Sequence, residues 1–297
     1  MDAIVMGNVT LDILCYTVED VPRFESIAFD RAVIGPGGCG SNVAIGLCML
    51  GVPTALVARI GTDDAYALVE KYWERVGLDI RYIRRDPSSS IAVSVGLIDR
   101  QAQPRFVHTP GANAKLSVDD LDLKVLTSEG ARLLHIAGYF VLPGLLDTRL
   151  VDTLKTAQSF GFITTLDVVN SPRMEIPDLL WPCLPYLDIF LCNAHEAWRL
   201  TGQDDPILAA RKFRSQGARA VIIKLGDKGC WLDYADKPDR IPSYPVEVVD
   251  TTGAGDAFAA GLIAALLKGK DLPSACKDAN AAGARIVQRY GAVSGWF

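Results

Sequence analysis

The feature that most constrains the fold is a repeated alternation of short, apolar β-rich runs with amphipathic helical runs. Strands are predicted at Ala3–Met6, Thr54–Ile60, Leu133–Ala137, Ile163–Val168, Ile189–Cys192 and Val221–Leu225. Helices are predicted at Val43–Leu50, Leu145–Phe160, Ala194–Thr201 and Pro206–Gln216. Because two parallel strands need a crossover that is usually a helix, the alternation predicts a three-layer α/β/α fold with a mostly parallel central sheet.

Local signals predict where the first two helices begin and end. Ser41 is predicted to cap the helix at Val43–Leu50, since a serine oxygen can accept a hydrogen bond from an unpaired N–H group of the first turn. Thr62 is predicted to cap the next helix, with Asp63 in its first turn, where the helix dipole favours negative charge. Gly77 is predicted to end that helix.

Two stretches depart from the alternation. Ile13–Ile34 and Ser90–Val107 contain short strands and turns without helical periodicity. They are far apart in the sequence but similar in kind, so we expect them to pair as a small β-sheet lid formed by about residues 13–34 and 88–109. The chain has no internal repeat and no linker-like segment, so residues 1–297 are predicted to form a single domain that contains this lid.

Composition and charge exclude several classes of protein. The 30 Lys and Arg residues against 35 Asp and Glu give a net charge of −5, which disfavours non-specific nucleic-acid binding. The amino terminus lacks a signal-peptide pattern, and the longest apolar run, Ala257–Leu267, is far shorter than the roughly 20 residues of a membrane span. The seven cysteines form no C-x-x-C pair, which argues against structural zinc. We therefore expect a cytoplasmic protein that binds neither nucleic acid nor membrane.

The most informative motif is Asp250–Phe258, which follows a predicted strand at Val246–Val249 and opens a helical run. Gly253 and Gly255 carry no side chains, so an anion can approach the unpaired N–H groups at the start of that helix. Asp256 would lie in the first turn beside the anion. This arrangement suits transfer of a phosphoryl group to a hydroxyl, with amides stabilising the migrating charge and the carboxylate taking the proton. A simpler interpretation is a glycine-rich turn whose aspartate stabilises the helix.

A second glycine cluster, before the first predicted helix, supports a competing hypothesis. Gly35, Gly37 and Gly40 match the G-x-G-x-x-G pattern of dinucleotide-binding proteins, with Asp63 downstream. That pattern would indicate an NAD(P)-binding Rossmann oxidoreductase. However, Pro36 and the irregular segment before the loop fit a first βαβ unit poorly, and this hypothesis leaves the first motif unexplained. A catalytically silent sugar- or nucleotide-binding protein is a further alternative.

Together the two loops resemble the two signatures of the ribokinase-like (PfkB) carbohydrate kinase family. The first signature is Gly37–Asn42 with the helix after it, and the second is Asp250–Phe258 with its helix. Further matching elements occur along the chain at Gly7–Asp12, Gly111–Asn113, Asn193–Glu196 and Lys224–Gly229. The resemblance implies a ribokinase-like fold and an ATP-dependent kinase, requiring magnesium, that phosphorylates a hydroxyl of a small sugar.

The resemblance also assigns catalytic and substrate-binding roles to individual residues. It makes Asp256 the catalytic base. Its amide would complete an anion hole formed by Gly253, Ala254 and Gly255. The hydroxyl groups of the substrate would be bound by Asp12, Gly37, Gly38 and Asn42.

Nucleotide and metal sites are implied in the same way. ATP would be contacted by Asn193, Glu196, Lys224, Gly226, Gly229 and Asn280. Mg²⁺ would be held by Asn193 and Glu196 through water. A monovalent cation, K⁺, would be bound by Asp250 and Thr252 near the backbone of Gly291, although Ser294 is displaced from the family pattern.

Several of these residues have a second interpretation. Asn193 and Glu196 also form a capping-box pattern that stabilises a helix. Arg105 on the lid would either pair with the anionic group of an acidic sugar or be solvated. Tyr139 and Phe140 would either stack on the base of a nucleoside, as in nucleoside kinases of the family, or pack in the core. We therefore rank neutral sugars first, nucleosides second and acidic sugars third, and the exposed strand edges of the lid predict a homodimer.

Overall fold

The computed structural model describes residues 1–175, 177–235 and 237–297. Its strands are β1 (Ala3–Gly7), β2 (Thr10–Tyr16), β3 (Arg31–Gly37), β4 (Thr54–Gly61), β5 (Ile83–Asp86), β6 (Ala92–Ile98), β7 (Pro104–His108), β8 (Leu133–Ala137), β9 (Ile163–Asp167), β10 (Ile189–Asn193), β11 (Ala220–Lys224), β12 (Cys230–Tyr234) and β13 (Asp239–Ile241). Within the described ranges, nine of these strands form one sheet in the order β13-β12-β11-β10-β9-β8-β1-β4-β5. Neighbouring strands are parallel except at one edge, where β12 is antiparallel to β11 and β13. The predicted mostly parallel sheet is confirmed.

Two helical layers cover this sheet. The helices are α1 (Cys39–Met49), α2 (Tyr66–Val76), α3 (Leu123–Ser128), α4 (Arg149–Ser159), α5 (Ala194–Thr201), α6 (Pro206–Ser215), α7 (Ala254–Leu267) and α8 (Leu272–Ile286). Helices α3 to α6 bury one apolar cluster against the sheet, including Leu154 and Phe213. Helices α1, α2, α7 and α8 bury another, including Trp73 and Ile263. The result is the predicted three-layer α/β/α fold.

A second, four-stranded sheet has the order β3-β2-β6-β7. Strand β2 is antiparallel to β3 and parallel to β6, so the two sequence stretches without helical period do pair with each other. Residues of a strand alternate between its two faces, so Asp12 and Tyr16 share one face of β2. This inner face contacts the main body, because Tyr16 hydrogen-bonds Asp250. The small sheet is as predicted, whereas its role as a lid and the single-domain assignment stay predictions.

The predicted start of the first helix is wrong. Helix α1 begins at Cys39, so Ser41 lies within its first turn and does not cap it. Gly38 occupies the N-cap position with a φ of 82°, a conformation that favours glycine. The Ser41 hydroxyl instead accepts a hydrogen bond of 3.0 Å from the indole of Trp73. This tertiary contact replaces the capping hydrogen bond that the local sequence predicted.

Two further local predictions are also wrong. Helix α2 begins at Tyr66 rather than after Thr62, because the Asp63 carboxylate accepts a hydrogen bond of 2.7 Å from the N–H of Ile91 in the chain leading to β6. Val246–Val249 forms no strand. The N–H of its last residue donates to the carbonyl of Val287, at 2.7 Å, so this segment runs along the end of α8 instead of joining the sheet.

In the part of the chain that the structure describes, each helix is too short or too polar to cross a bilayer.

Candidate active site

The loop before α7 presents unpaired N–H groups. Gly253 is the N-cap of α7 and has a φ of 78°, a conformation that favours glycine. A Cβ atom at this position would also lie 2.3 Å from the carbonyl oxygen of Ala292. Both the conformation and the space therefore require glycine. No described residue accepts a hydrogen bond from the N–H groups of Gly253, Gly255 and Asp256. The Ala254 N–H differs, since it donates to the carbonyl of Thr251 at 3.2 Å. Three of the four amides predicted for the anion hole are therefore available to a ligand.

The Asp256 carboxylate is fixed beside these amides. Its Oδ2 accepts a hydrogen bond of 2.8 Å from Nδ2 of Asn42 in α1, and its other neighbour is the thiol of Cys39. Burial, reinforced by the charge of Asp167, raises the pKa of Asp256 to about 6, against the lowering effect of Asn42. The carboxylate therefore has a pKa close to neutrality, where a general base is most effective.

A half-buried ammonium group lies next to the anion-binding loop. The Nζ atom of Lys224, at the end of β11, lies 3.2 Å from where a Cβ on Gly255 would be. Burial by itself would lower the pKa of Lys224, but the negative charges of Asp167, Glu196 and Asp256 together raise it. The ammonium group is therefore charged, and three carboxyl groups stabilise its charge.

Asp167 is the member of this cluster that the motifs did not assign. It lies at the end of β9, is 2% exposed, and accepts a hydrogen bond of 2.7 Å from the N–H of Gly138. His135, on the neighbouring strand, places its Nε2 4.0 Å from Asp167. Burial lowers the pKa of His135, which keeps the ring neutral. The position of an aspartate at the carboxyl end of a parallel strand was the available signal, because ligand sites of open α/β sheets lie at that edge.

The first glycine loop faces the same centre from the small sheet. A Cβ on Gly37 would lie 1.9 Å from the carboxyl carbon of Asp12, so glycine is required for Asp12 to lie across the backbone there. Burial first, opposed by a hydrogen bond from Thr10 and increased by the charge of Asp256, raises the pKa of Asp12 to about 7. Gly37, Gly38, Asn42 and Asp12 are thus brought together next to Asp256.

Asn193 and Glu196 do form a capping box at the start of α5. The Asn193 side chain accepts from the N–H of Glu196 at 2.8 Å, and the Glu196 carboxylate accepts from the N–H of Asn193 at 2.7 Å. Burial raises the pKa of Glu196 to about 7, against the lowering effect of Lys224. The capping interpretation is therefore confirmed, and the same carboxylate also belongs to the charged cluster around Lys224.

Three residues assigned to the nucleotide lie beside the edge of the large sheet that β11, β12 and β13 form. Gly226 opens a short turn after β11, and Gly229, with a φ of 87°, packs its Cα against the carbonyl of Ile241. Asn280 of α8 donates from Nδ2 to the carbonyls of Ile241 and Pro242, at 3.2 and 3.1 Å. The amide of Asn280 therefore holds the end of β13 against the Gly229 turn and shapes this edge.

Three side chains proposed for substrate choice lie away from the centre. Arg105 is paired across the small sheet with Leu97, on the face opposite Asp12, and its guanidinium donates to the carbonyls of Val18 and Glu19. Its assignment as a substrate ligand is therefore not supported, because the strand alternation turns it outward.

The aromatic pair is buried. Tyr139 and Phe140 are 0% and 1% exposed, and their rings meet edge to face with centroids 5.0 Å apart. They pack in the core, as the second interpretation predicted, and offer no open ring for a base. The dinucleotide hypothesis also loses its basis, because Gly35 and Gly37 of its pattern lie within β3, an antiparallel strand of the small sheet. The hypothesis requires a glycine loop that follows a strand of the central sheet.

Comparison with known proteins gives a consistent answer. The model of the pfkB family carbohydrate kinase matches residues 3–296. A ribokinase of Haemophilus influenzae is 29% identical over 300 residues, covering 98% of this chain and 93% of that protein. An aminoimidazole riboside kinase of Salmonella typhimurium is 28% identical over 285 residues, covering 87% of this chain and 84% of that protein.

Solved structures agree along the whole length of the chain. The Arabidopsis thaliana ribokinase complexed with ribose and ATP superposes with a TM-score of 0.80 at 27% identity, covering 99% of this chain and 95% of that one. An E. coli protein described as a candidate ribokinase II, in complex with ATP and Mg²⁺, gives a TM-score of 0.85 at 25% identity, covering 100% of this chain and 96% of that one. With the family model matched over almost every residue, the chain belongs to the pfkB family of carbohydrate kinases.

Proposed function

We propose that this protein transfers the γ-phosphoryl group of ATP to a hydroxyl group of a small neutral sugar, with Mg²⁺ present. The observation that carries the proposal is the Asp256 carboxylate beside three unpaired N–H groups at the start of α7. A ribokinase relative complexed with ribose and ATP, and another complexed with ATP and Mg²⁺, support the same reactants for this chain.

The chemistry follows from these groups. Asp256 takes the proton of the acceptor hydroxyl while that oxygen bonds to the γ-phosphorus and the bond from phosphorus to ADP breaks. A pKa of about 6 leaves most of the Asp256 carboxylate ionised at pH 7, ready to accept the proton. Asn42 holds one carboxylate oxygen in place. The unpaired N–H groups of Gly253, Gly255 and Asp256 stabilise the charge on the migrating group.

The charged cluster fits a divalent cation. Asp167, Glu196 and Asp256 all act electrostatically on the ammonium group of Lys224, so three carboxyl groups stand against one cation. Over the described residues, no group of three or more His, Cys, Asp or Glu side chains is arranged to enclose a metal by itself. Mg²⁺ usually keeps several water ligands and binds one or two carboxylates plus phosphate. Asn193 and Glu196 would hold it through water, and it would neutralise phosphate charge.

The proposed substrate class is a neutral polyol. Asp12 and Asn42 offer a carboxylate and an amide at the centre, which suit hydroxyl groups. The two features that would favour other substrates lie elsewhere, since Arg105 is on the outer face of the small sheet and Tyr139 is in the core. We further propose that the small sheet acts as a lid, since its inner face carries Asp12 and closing over the site would exclude water.

Formation of ADP that depends on a sugar tests the proposal. Purified protein with Mg²⁺ and ATP is screened for ADP formation against pentoses, hexoses, acidic sugars and nucleosides, with the Asp256→Asn variant as the matched control. We expect sugar-dependent ADP formation with a neutral sugar only in the parent. ADP formed equally by parent and variant would contradict the assigned base, and ADP formed at the same rate without any sugar would contradict the sugar as acceptor. A preference for nucleosides would change the proposed substrate class but would still support kinase activity.

We also propose a homodimer formed through the outer face of the small sheet. Ile34, Ile13, Val95 and Val107 are register partners across the four strands and form one β-branched row. Ile34 is 53% exposed and Val107 66% exposed, and an apolar row of this kind marks an interaction surface. The same row on a second copy of the chain would provide an apolar surface to pack against it. Light scattering should give a dimer mass for the parent and a monomer mass for Val107→Asp, while Val125→Asp on α3 should stay dimeric.

A further inference from the structure

Asp250 is buried immediately before the anion-binding loop and is 0% exposed. Its Oδ2 accepts two hydrogen bonds, from the hydroxyl of Tyr16 at 2.6 Å and from the N–H of Gly291 at 2.9 Å. Its Oδ1 accepts the N–H of Thr252 at 2.9 Å. A carboxylate removed from water needs such donors, because an unpaired buried charge is strongly unfavourable.

The donors around Asp250 do not fit a bound monovalent cation. A carboxylate oxygen has two lone pairs, and both lone pairs of Oδ2 are used by Tyr16 and Gly291. The positive ends of these N–H and O–H dipoles would face any cation placed beside the carboxylate. Two features oppose this view: Oδ1 of Asp250 accepts a single hydrogen bond and keeps one lone pair, and Oγ1 of Thr252 is buried and has no partner among the residues described. The test below therefore varies the cation directly.

The hydroxyl that bonds Oδ2 of Asp250 comes from the small sheet. Tyr16 lies on β2 and is 3% exposed. Its ring packs edge to face on Tyr290, with centroids 4.6 Å apart, and the guanidinium of Arg31 lies 4.7 Å above the Tyr290 ring. Burial and the hydrogen bond to Asp250 raise the pKa of Tyr16, so its hydroxyl remains the donor.

We propose that Tyr16 is a positioning residue that replaces a monovalent cation, holding Asp250 and the loop after it so that the Gly253–Asp256 amides face the phosphoryl group. The inference rests on the proposed phosphoryl transfer. A second hydrogen bond joins the same parts, since Thr251 donates from Oγ1 to the carbonyl of Ala102, at 3.0 Å, in the turn between β6 and β7. The small sheet thus supports the anion-binding loop at two adjacent residues, and turnover needs no K⁺.

The experiment compares the parent, Tyr16→Phe and the control Tyr290→Phe. Each loses one hydroxyl at most and keeps its ring, so the stacking of residues 16 and 290 is preserved. Turnover with a sugar substrate and thermal melting are both measured in potassium, sodium and tetramethylammonium chloride at equal ionic strength. The melting measurement needs no substrate, so it reports on Tyr16 even if no sugar is phosphorylated. A failed sugar screen would refute the proposed function alone.

We expect the parent to have the same kcat within about twofold in all three salts, and the same melting temperature within about one degree. Tyr16→Phe should lower kcat about tenfold with an almost unchanged KM for the sugar, because the loss falls on an interaction of the transition state. It should also melt a few degrees lower, and Tyr290→Phe should match the parent.

Two results would overturn the proposal. The first is activation of the parent by K⁺ of fivefold or more over tetramethylammonium, which would mean that a cation does bind. The second is a Tyr16→Phe variant with the kcat and melting temperature of the parent, which would mean that the hydroxyl positions nothing. If the variant fails to fold, the salt comparison on the parent still decides whether a cation is required.

Discussion

Asn42 and Asp256 are 214 residues apart in the sequence, yet the amide of one donates a hydrogen bond of 2.8 Å to the carboxylate of the other. Each residue lies in the first turn of a helix that follows a glycine with positive φ, Gly38 at 82° and Gly253 at 78°. The two glycine loops therefore bring the starts of α1 and α7 side by side. This contact joins the loop assigned to the sugar with the loop assigned to the phosphoryl group.

Removing the base should separate binding from chemistry. Asp256→Asn keeps the size of the side chain and its place beside Asn42, but it cannot accept the proton of the hydroxyl. We expect ATP to bind nearly as in the parent and kcat to fall by about 10²–10⁴, the usual contribution of a positioned acid–base group. Calorimetric titration with ATP and steady-state kinetics check this. Activity within a few-fold of the parent would mean that another group is the base.

The pH dependence of activity should report Asp256. Its pKa of about 6 predicts that kcat/KM falls as pH is lowered through about 6, because the protonated carboxyl cannot accept a proton. The hydrogen bond from Asn42 lowers this pKa, so Asn42→Ala should move the acidic limb to higher pH. An acidic limb at the same pH in both proteins would show that the limb belongs to another group.

The stability of the protein should depend on pH through Asp12. Its pKa is about 7 in the folded chain against an ordinary 3.8, so between about pH 4 and 7 the folded state binds more protons than the unfolded state. The stabilisation is complete below about pH 4 and is lost as pH rises through 7. Asp12→Asn removes the buried charge but can still accept from Thr10. It should therefore melt at a higher temperature than the parent at pH 8, and at a similar temperature at pH 4.

That gain should come at the expense of substrate binding. The same Asp12→Asn variant should raise the KM for the sugar, since a carboxylate bonds hydroxyl groups more strongly than an amide. Melting curves at both pH values and sugar kinetics measure the two effects. A variant less stable than the parent at pH 8 would show that the Asp12 charge is better compensated than its burial indicates.

Space at Gly255 should matter mainly in the transition state. A Cβ there would lie 3.2 Å from Nζ of Lys224, so Gly255→Val must displace the ammonium and crowd the unpaired amides. We expect a large loss of kcat with a smaller change in the KM for ATP. Gly283→Ala on α8 is the control, because its Cβ would make an ordinary contact of 3.4 Å with Ala254. Normal turnover of Gly255→Val would show that these amides face nothing that reacts.

The sequence alone determined most of the parallel strands, several of the helices and their order. The strand Leu133–Ala137 and the helix Ala194–Thr201 have the predicted bounds. The signals that predict them, a run of apolar residues for the strand and the Asn193 cap for the helix, lie within or next to each element. The two glycine loops were also found, since each needs glycine for its own backbone. Predictions that depended on one polar side chain, such as the Ser41 cap, were wrong where a distant partner claimed that side chain.

Only the tertiary structure decided which distant residues meet. The carboxylates around Lys224 come from the end of β9, the start of α5 and the start of α7. Their raised pKa values arise from burial that no short segment contains. The contact of Tyr16 with Asp250 spans 234 residues. Propensities and motifs act over short sequence distances, whereas strand order and the seating of one sheet on another set these long-range contacts.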